Sequence, residues 1–188
     1  MPTTEVNVSL EFTPNPNTLK FVVDQVLLEK GAANYTNIQA ADNSPLAQKL
    51  LTVDGITGVM IGHNFVTVTK GEHGDWEKIH TTSVTIIGDH LRNGESVVIG
   101  DVSSSPVNHA QASGDIELKI KKVLDEEIRP AVAMDGGDIT FDKYEDGVVY
   151  LFLQGSCSGC PSSTMTLKMG IESRLKDLIP EIKEVVAI

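Results

Sequence analysis

Residues 139–161 read Ile139-Thr140-Phe141-Asp142-Lys143-Tyr144-Glu145-Asp146-Gly147-Val148-Val149-Tyr150-Leu151-Phe152-Leu153-Gln154-Gly155-Ser156-Cys157-Ser158-Gly159-Cys160-Pro161. Ile139 to Tyr144 and Val148 to Leu153 are rich in β-branched and aromatic side chains, and Glu145-Asp146-Gly147 between them is a compact turn, so the stretch predicts a β-hairpin. Past the two cysteines the period changes. Leu167, Ile171, Leu175 and Leu178 recur at helical spacing until Pro180. Pro161 suits the first turn of that helix, where its missing N–H is no loss. A C-x-x-C pair therefore sits in a strand-to-helix loop.

The elements outside this stretch complete a small α+β unit. Upstream, Asp115 can cap a helix whose apolar stripe is Ile116, Ile120, Val123, Leu124 and Ile128. Pro130 follows, and then Asp135-Gly136-Gly137-Asp138. Downstream, residues 182–188 can close the sheet as a last strand. The order is α-β-β-α-β.

The first half reads as a second mixed α/β domain. Val6, Val8, Leu10 and Phe12 alternate as a half-buried strand, Pro14-Asn15-Pro16-Asn17 breaks it, and Leu19 to Val23 restarts an extended run. Ser44-Pro45 opens a short helix with Leu46, Leu50 and Leu51 on one face. Val59-Met60-Ile61 and Phe65-Val66-Thr67-Val68 flank Gly62-His63-Asn64 as a second hairpin. Asp75 can cap a helix from Trp76 to near Arg92, with Trp76, Ile79, Val84 or Ser83, Ile87 and Leu91 as its buried stripe. Residues 103–114 hold small and polar side chains and no charge, which marks a linker. The expected fold is α+β (mixed α/β) in two small domains, residues 1–92 and 115–188, joined by a linker over 93–114 in which Val97-Val98-Ile99 can still pair as a short strand.

Composition excludes several functions. With 188 residues, 40% hydrophobic and 22% charged, the chain can build a core. Its longest apolar run, residues 148–153, is far short of the ~20 residues that cross a bilayer. The net charge of −11 argues against nucleic acid or an anionic membrane as partner, because phosphates are held by clustered Lys and Arg. Residues 1–19 carry Glu5 and Glu11 and no Lys or Arg, unlike a secretory signal or a transit peptide, so the expected location is cytoplasmic. Cys157 and Cys160 are the only cysteines, too few for a secreted disulfide framework.

In a reducing compartment a C-x-x-C pair means metal or redox chemistry, and three-residue separation lets both sulfurs turn toward one point. Gly159 allows the tight bend, and the free N–H groups and dipole of the following helix are expected to favour thiolate. A thioredoxin-like redox pair remains open, as do two structural cysteines. Two thiolates cannot complete a zinc or iron–sulfur site, and His63, His73, His80, His90 and His109 all precede the pair without ligand-like spacing. A second copy of the chain would supply two more thiolates. Asp135 and Asp138 read as turn residues bonded to local backbone N–H groups. Leu167, Ile171, Met165 and Met169 read as core, and Lys168 as a surface cation near the loop. No phosphate-binding glycine loop or serine-nucleophile elbow occurs.

Several segments together resemble the NifU-like (Nfu-type) scaffold and carrier family. In the second half these are Arg129-Pro130, Asp135-Gly136-Gly137-Asp138, Gly155-Ser156-Cys157-Ser158-Gly159-Cys160-Pro161-Ser162-Ser163, Thr166-Leu167 and Gly170-Ile171-Glu172. Residues 1–92 resemble the family's N-terminal domain through Thr13-Pro14-Asn15-Pro16-Asn17, Leu19-Lys20-Phe21, Ser44-Pro45-Leu46-Ala47, Phe65-Val66-Thr67-Val68-Thr69-Lys70 and Trp76. The resemblance implies a non-enzymatic carrier of a labile 4Fe–4S cluster, held between two subunits that each give Cys157 and Cys160. It implies cluster donors and apo iron–sulfur proteins as partners, a homodimer when the cluster is bound, and an N-terminal domain concerned with partner contact. An isolated sample could lack the cluster or hold zinc. The alternatives are a thiol–disulfide oxidoreductase using Cys157 as nucleophile and a structural zinc-bridged dimer.

Overall fold

A computed structural model describes residues 5–100, 114–159 and 161–188. These form two compact units, one before residue 101 and one from residue 114 onward. The linker expected over 93–114 falls largely outside the described residues, as does Cys160.

The first unit is a five-stranded antiparallel sheet in the order β1-β2-β5-β4-β3. Its strands are β1 (Val8–Phe12), β2 (Thr18–Val23), β3 (Ala33–Tyr35), β4 (Ile56–Ile61) and β5 (Phe65–Lys70). The expected hairpin of β4 against β5 forms, and the two runs on either side of Pro14-Asn15-Pro16-Asn17 pair as well, β1 antiparallel to β2. Helix α1 (Pro45–Leu51) starts as its sequence dictates: Ser44 Oγ accepts the Ala47 N–H at 3.1 Å, and Pro45 occupies the first turn. Helix α2 (Trp76–Arg92) is capped by Asp75 and buries Ile79, Ser83 and Ile87. Of the two side chains expected at one turn of that stripe, Ser83 is buried and Val84 only partly so. The core is Phe21, Leu46, Leu50, Ile61, Val66, Ile79 and Ile87.

Val97-Val98-Ile99 does not pair as a strand. Ser44 Oγ donates to the Val97 carbonyl at 2.7 Å, and the Ile99 N–H donates to the Asn43 carbonyl at 2.6 Å. Val97 and Val98 pack on the first core, so the chain follows the start of α1. Apolar side chains bury here without a sheet edge.

The second unit opens with α3 (Asp115–Val123), whose N-cap is Gly114 rather than Asp115. Asp115 sits in the first turn, where a carboxylate still favours the helix dipole. Pro130 does not stop the helix. A π-helical stretch at Leu124–Ile128 leads into α4 (Arg129–Met134), with the proline in its first turn. A wider turn relieves the clash a proline ring makes with the carbonyl four residues back, so the helical path continues.

Strands β6 (Gly137–Glu145) and β7 (Val148–Gly155) form the expected hairpin. Its two turn residues both have positive φ, +53° at Asp146 and +90° at Gly147, matching the twist of the flanking strands. Helix α5 (Pro161–Leu178) returns the chain, and β8 (Glu184–Ala187) pairs parallel to β7, giving the sheet order β6-β7-β8. Ile120, Ile139, Leu151, Ile171 and Leu175 are fully buried between sheet and helices. Cys157 belongs to this core.

Candidate functional site

The loop after β7 is held from both sides. Gly155, the last residue of β7, lies opposite Gly137 at the start of β6. The Ser156 N–H donates to the Gly136 carbonyl at 3.2 Å, and the Ser156 hydroxyl donates to the Asp135 carbonyl. The Cys157 N–H donates to the Gln154 carbonyl at 3.3 Å, and Thr164 Oγ1 on α5 donates to the Cys157 carbonyl at 3.1 Å. Gly159 takes the bend expected of it, with φ +78°. Cys157 is thus fixed by strand, turn and helix together.

Its side chain points inward and is 6% exposed. Gly137 makes the space for it: a Cβ there would collide with Cys157 Sγ and lie 3.1 Å from both Cys157 Cβ and the Gln154 carbonyl oxygen. Gly136 supplies the left-handed turn, φ +78°. The two adjacent glycines therefore serve different ends, one backbone shape and one sulfur packing. Asp138 does not bond local backbone as expected. Its carboxylate takes both arms of Arg129, Nε to Oδ1 and Nη2 to Oδ2, each at 3.1 Å. Arg129 Nε also reaches the Ile139 carbonyl at 3.1 Å, and Nη1 reaches Asp125 Oδ1 at 2.9 Å. This forked grip ties the π-helical turn to the strand whose first residue packs on the cysteine.

Burial pushes the Cys157 thiol up to about 11. Its hydrogen bond with Ser156 acts in the opposite sense, and the Asp135 and Asp138 carboxylates add to the rise. Burial, the largest influence on this thiol, thus opposes the thiolate expected at Cys157 from the helix N-terminus.

Met165 and Met169 are each 66% exposed, not core, whereas Ile171 is buried and Leu167 partly so. They lie one turn apart on α5 and, with Gly159, Val186 and Ala187, line a groove of about 570 Å³. Lys168 lines it too and pairs with Glu184 at 3.3 Å. The histidines have other duties. His90 is buried, His63 Nδ1 bonds the Leu28 carbonyl at 2.7 Å, His80 stacks on Phe21, His73 is exposed, and His109 lies outside the described residues. Among the described residues no three His, Cys, Asp or Glu side chains converge as a metal site, and no helix is long and apolar enough to cross a membrane. Sequence reading missed Arg129 and Gly137 as supports of the site. The signal was present in Arg129-Pro130 and Asp135-Gly136-Gly137-Asp138, but only the folded chain joins them.

Residues 120–186 match the family described as NifU-like domain, and residues 8–94 match that described as Scaffold protein Nfu/NifU N terminal. The chain is 38% identical over 179 residues to the human protein named NFU1 iron-sulfur cluster scaffold homolog, mitochondrial, covering 95% of this chain and 70% of that protein. It is 40% identical to the Drosophila erecta protein of the same name, covering 63% of it. It is 37% identical to NifU-like protein 4, mitochondrial, of Arabidopsis thaliana, covering 64% of it. In both matches 95% of this chain is covered. A solution structure of a NifU-like protein from Saccharomyces cerevisiae matches at 25% identity and TM-score 0.48, over 54% of this chain and 92% of that one. The cytoplasmic location expected from residues 1–19 is contradicted by these relatives, whose names place them in mitochondria. With both of its halves matched in order, the chain belongs to the Nfu family of NifU-like proteins.

Proposed function

We propose that this protein is an iron–sulfur cluster scaffold that holds a 4Fe–4S cluster between two copies of the chain and passes it to apo-proteins. Cys157 and Cys160 of each copy are the ligands, and the protein carries its cargo without acting as an enzyme. The observation that carries the reading is the seat of Cys157: a soft sulfur ligand, braced by Gly137, Ser156 and Thr164, in a C-x-x-C pair whose relatives are named iron-sulfur cluster scaffolds. Four thiolates suit such a cluster, and each chain has two cysteines. A ligand set divided between chains opens when the chains part, which suits a cargo that must leave. Cys157 rests as a thiol, so its proton must leave as metal binds, and uptake is favoured as pH rises. The Arg129–Asp138 grip keeps the β6 side of the seat in place meanwhile.

The raised thiol opposes the oxidoreductase reading, since an attacking cysteine is acidic, whereas a metal ligand sheds its proton as the metal binds. A zinc-bridged dimer uses the same ligands and is separated by metal content. The test is anaerobic reconstitution with iron and sulfide, followed by sedimentation with the visible chromophore tracked across the boundary. The expected result is about four iron and four sulfide per dimer, and loss of both in Cys157→Ser and in Cys160→Ser. A full cluster retained by either variant, or iron travelling with single chains, overturns the shared-ligand reading.

A further inference from the structure

The Thr13-Pro14-Asn15-Pro16-Asn17 segment of the first unit is a tightly hydrogen-bonded loop. The Thr13 and Thr18 hydroxyls meet at 2.5 Å, the Asn17 N–H donates to Asn15 Oδ1 at 3.0 Å, and the Thr18 N–H donates to the Asn15 carbonyl at 3.0 Å. Asn15 is buried, and two prolines fix the backbone on either side of it. The loop forms one wall of an open groove of about 350 Å³, whose other surfaces include Leu10, Phe12, Leu19, Trp76, Glu77 and His80.

Three features of this place point the same way. β1 is the end strand of its sheet, with no strand on its outer side among the described residues, so alternate N–H and C=O groups along it face outward. Phe12, on that strand, is 85% exposed, although it lies beside the apolar groove. Glu77 is the only Asp, Glu, Lys or Arg among the described lining residues, and Trp76 already takes the ammonium of Lys70 5.7 Å from its ring centre. Aromatic walls with one carboxylate suit a long cationic side chain, its stem on the rings and its head at the acid.

We infer that the outer edge of β1 and the groove between Phe12 and Trp76 form a docking site for an extended, basic segment of a partner polypeptide. The segment adds as a strand to β1, and one Lys or Arg side chain enters the groove toward Glu77. Backbone pairing supplies attachment, and the groove supplies choice of side chain. The preformed Thr13–Thr18 wall lowers the ordering cost of that contact. This inference stands apart from the cluster reading, because it uses no residue of the second unit.

The test titrates the full ¹⁵N-labelled chain with Ac-Val-Arg-Val-Arg-Val-Thr-NH2, with its Glu-for-Arg counterpart, and with the Arg peptide N-methylated at alternate residues so that it cannot complete a ladder. Saturable shifts at the Val8–Phe12 amides and the Trp76 indole are expected for the first peptide only. Phe12→Ala, at an exposed position, should weaken binding about fivefold, and Glu77→Gln about threefold with reduced salt dependence. Equal binding of the N-methylated or acidic peptide overturns the inference. So do shifts confined to other surfaces, absence of shifts at about 1 mM peptide, or self-association of the chain through β1 seen by sedimentation.

Discussion

The two units use similar materials to opposite ends. In the first, a five-stranded sheet encloses a mostly apolar core around Phe21, Leu46 and Ile79, with Ser83 and His90 buried beside it, and the hydrogen-bonded Thr13–Thr18 loop lies at its margin. In the second, a three-stranded sheet builds a smaller core that includes the sulfur on which the proposed chemistry depends. Site and core are separate in one and the same in the other. A change at the margin of the first unit should alter contacts and leave stability alone, whereas a change at the site of the second should alter both. A cysteine at a loop–helix junction looks dispensable to the fold from its position in sequence, and the packing of Cys157 removes that assumption.

The sharpest way to break this contrast is Gly137→Ala. The added methyl must displace Cys157 Sγ or the strand, so the second unit should lose ~3 kcal/mol, at the upper end of overpacking costs. Calorimetry of the full chain should show the second unit's transition lowered and the first unit's unmoved. A joint shift would mean that the units melt together. Next in size is Arg129→Met. It leaves the Asp138 carboxylate, mostly buried, without its forked partner, at a cost of about 2 kcal/mol given the partial exposure of Arg129. Arg129→Lys should recover less than half of that, since an ammonium cannot grip both oxygens. Full recovery would show that charge alone matters there.

The smallest effect belongs to the first unit and runs with pH. His90 is buried, with Nδ1 3.2 Å from Lys49 Nζ and Nε2 3.1 Å from the Ser96 carbonyl, which fits the neutral ring donating from Nε2 and accepting from lysine. Burial lowers its pKa, and the Lys49 charge assists. The unfolded chain therefore takes up a proton near pH 6.5 that the folded chain refuses, so stability falls as pH drops below that value. The first transition should fall by a few degrees between pH 7.5 and 5.5, and His90→Gln should flatten the slope. An unchanged slope in the variant would assign the loss to other groups.

The elements legible in the sequence were those fixed by local rules. Ser44-Pro45, Asp75, Asp146-Gly147 and Pro180 set starts, a turn and a stop through backbone chemistry available within a few residues. What escaped was decided across the fold. The π stretch at Leu124–Ile128 carries the helical path on into Pro130, and Asp138 reads as a turn residue until Arg129 arrives from the preceding helix. Met165 and Met169 read as core by type, although the stripe through Ile171 and Leu175 already fills the buried face. The Cys157–Cys160 pair stands out in the sequence as a candidate site, but the depth of Cys157 does not, because Gly137 lies a full hairpin away in the chain.

The parallel pairing of β8 with β7 has a bearing on synthesis. β7 emerges from the ribosome well before α5 and β8, yet Val185 of β8 is buried and its strand borders the one leading to Cys157. A parallel neighbour cannot arrive until its whole crossover has been made. The first unit can fold while the rest is still being translated, but the second must wait for residues 184–187 to clear the exit tunnel. During that interval the half of the chain that carries Cys157 is the half still unfinished, so this thiol is at its most accessible to oxidants and stray metal before the core closes over it.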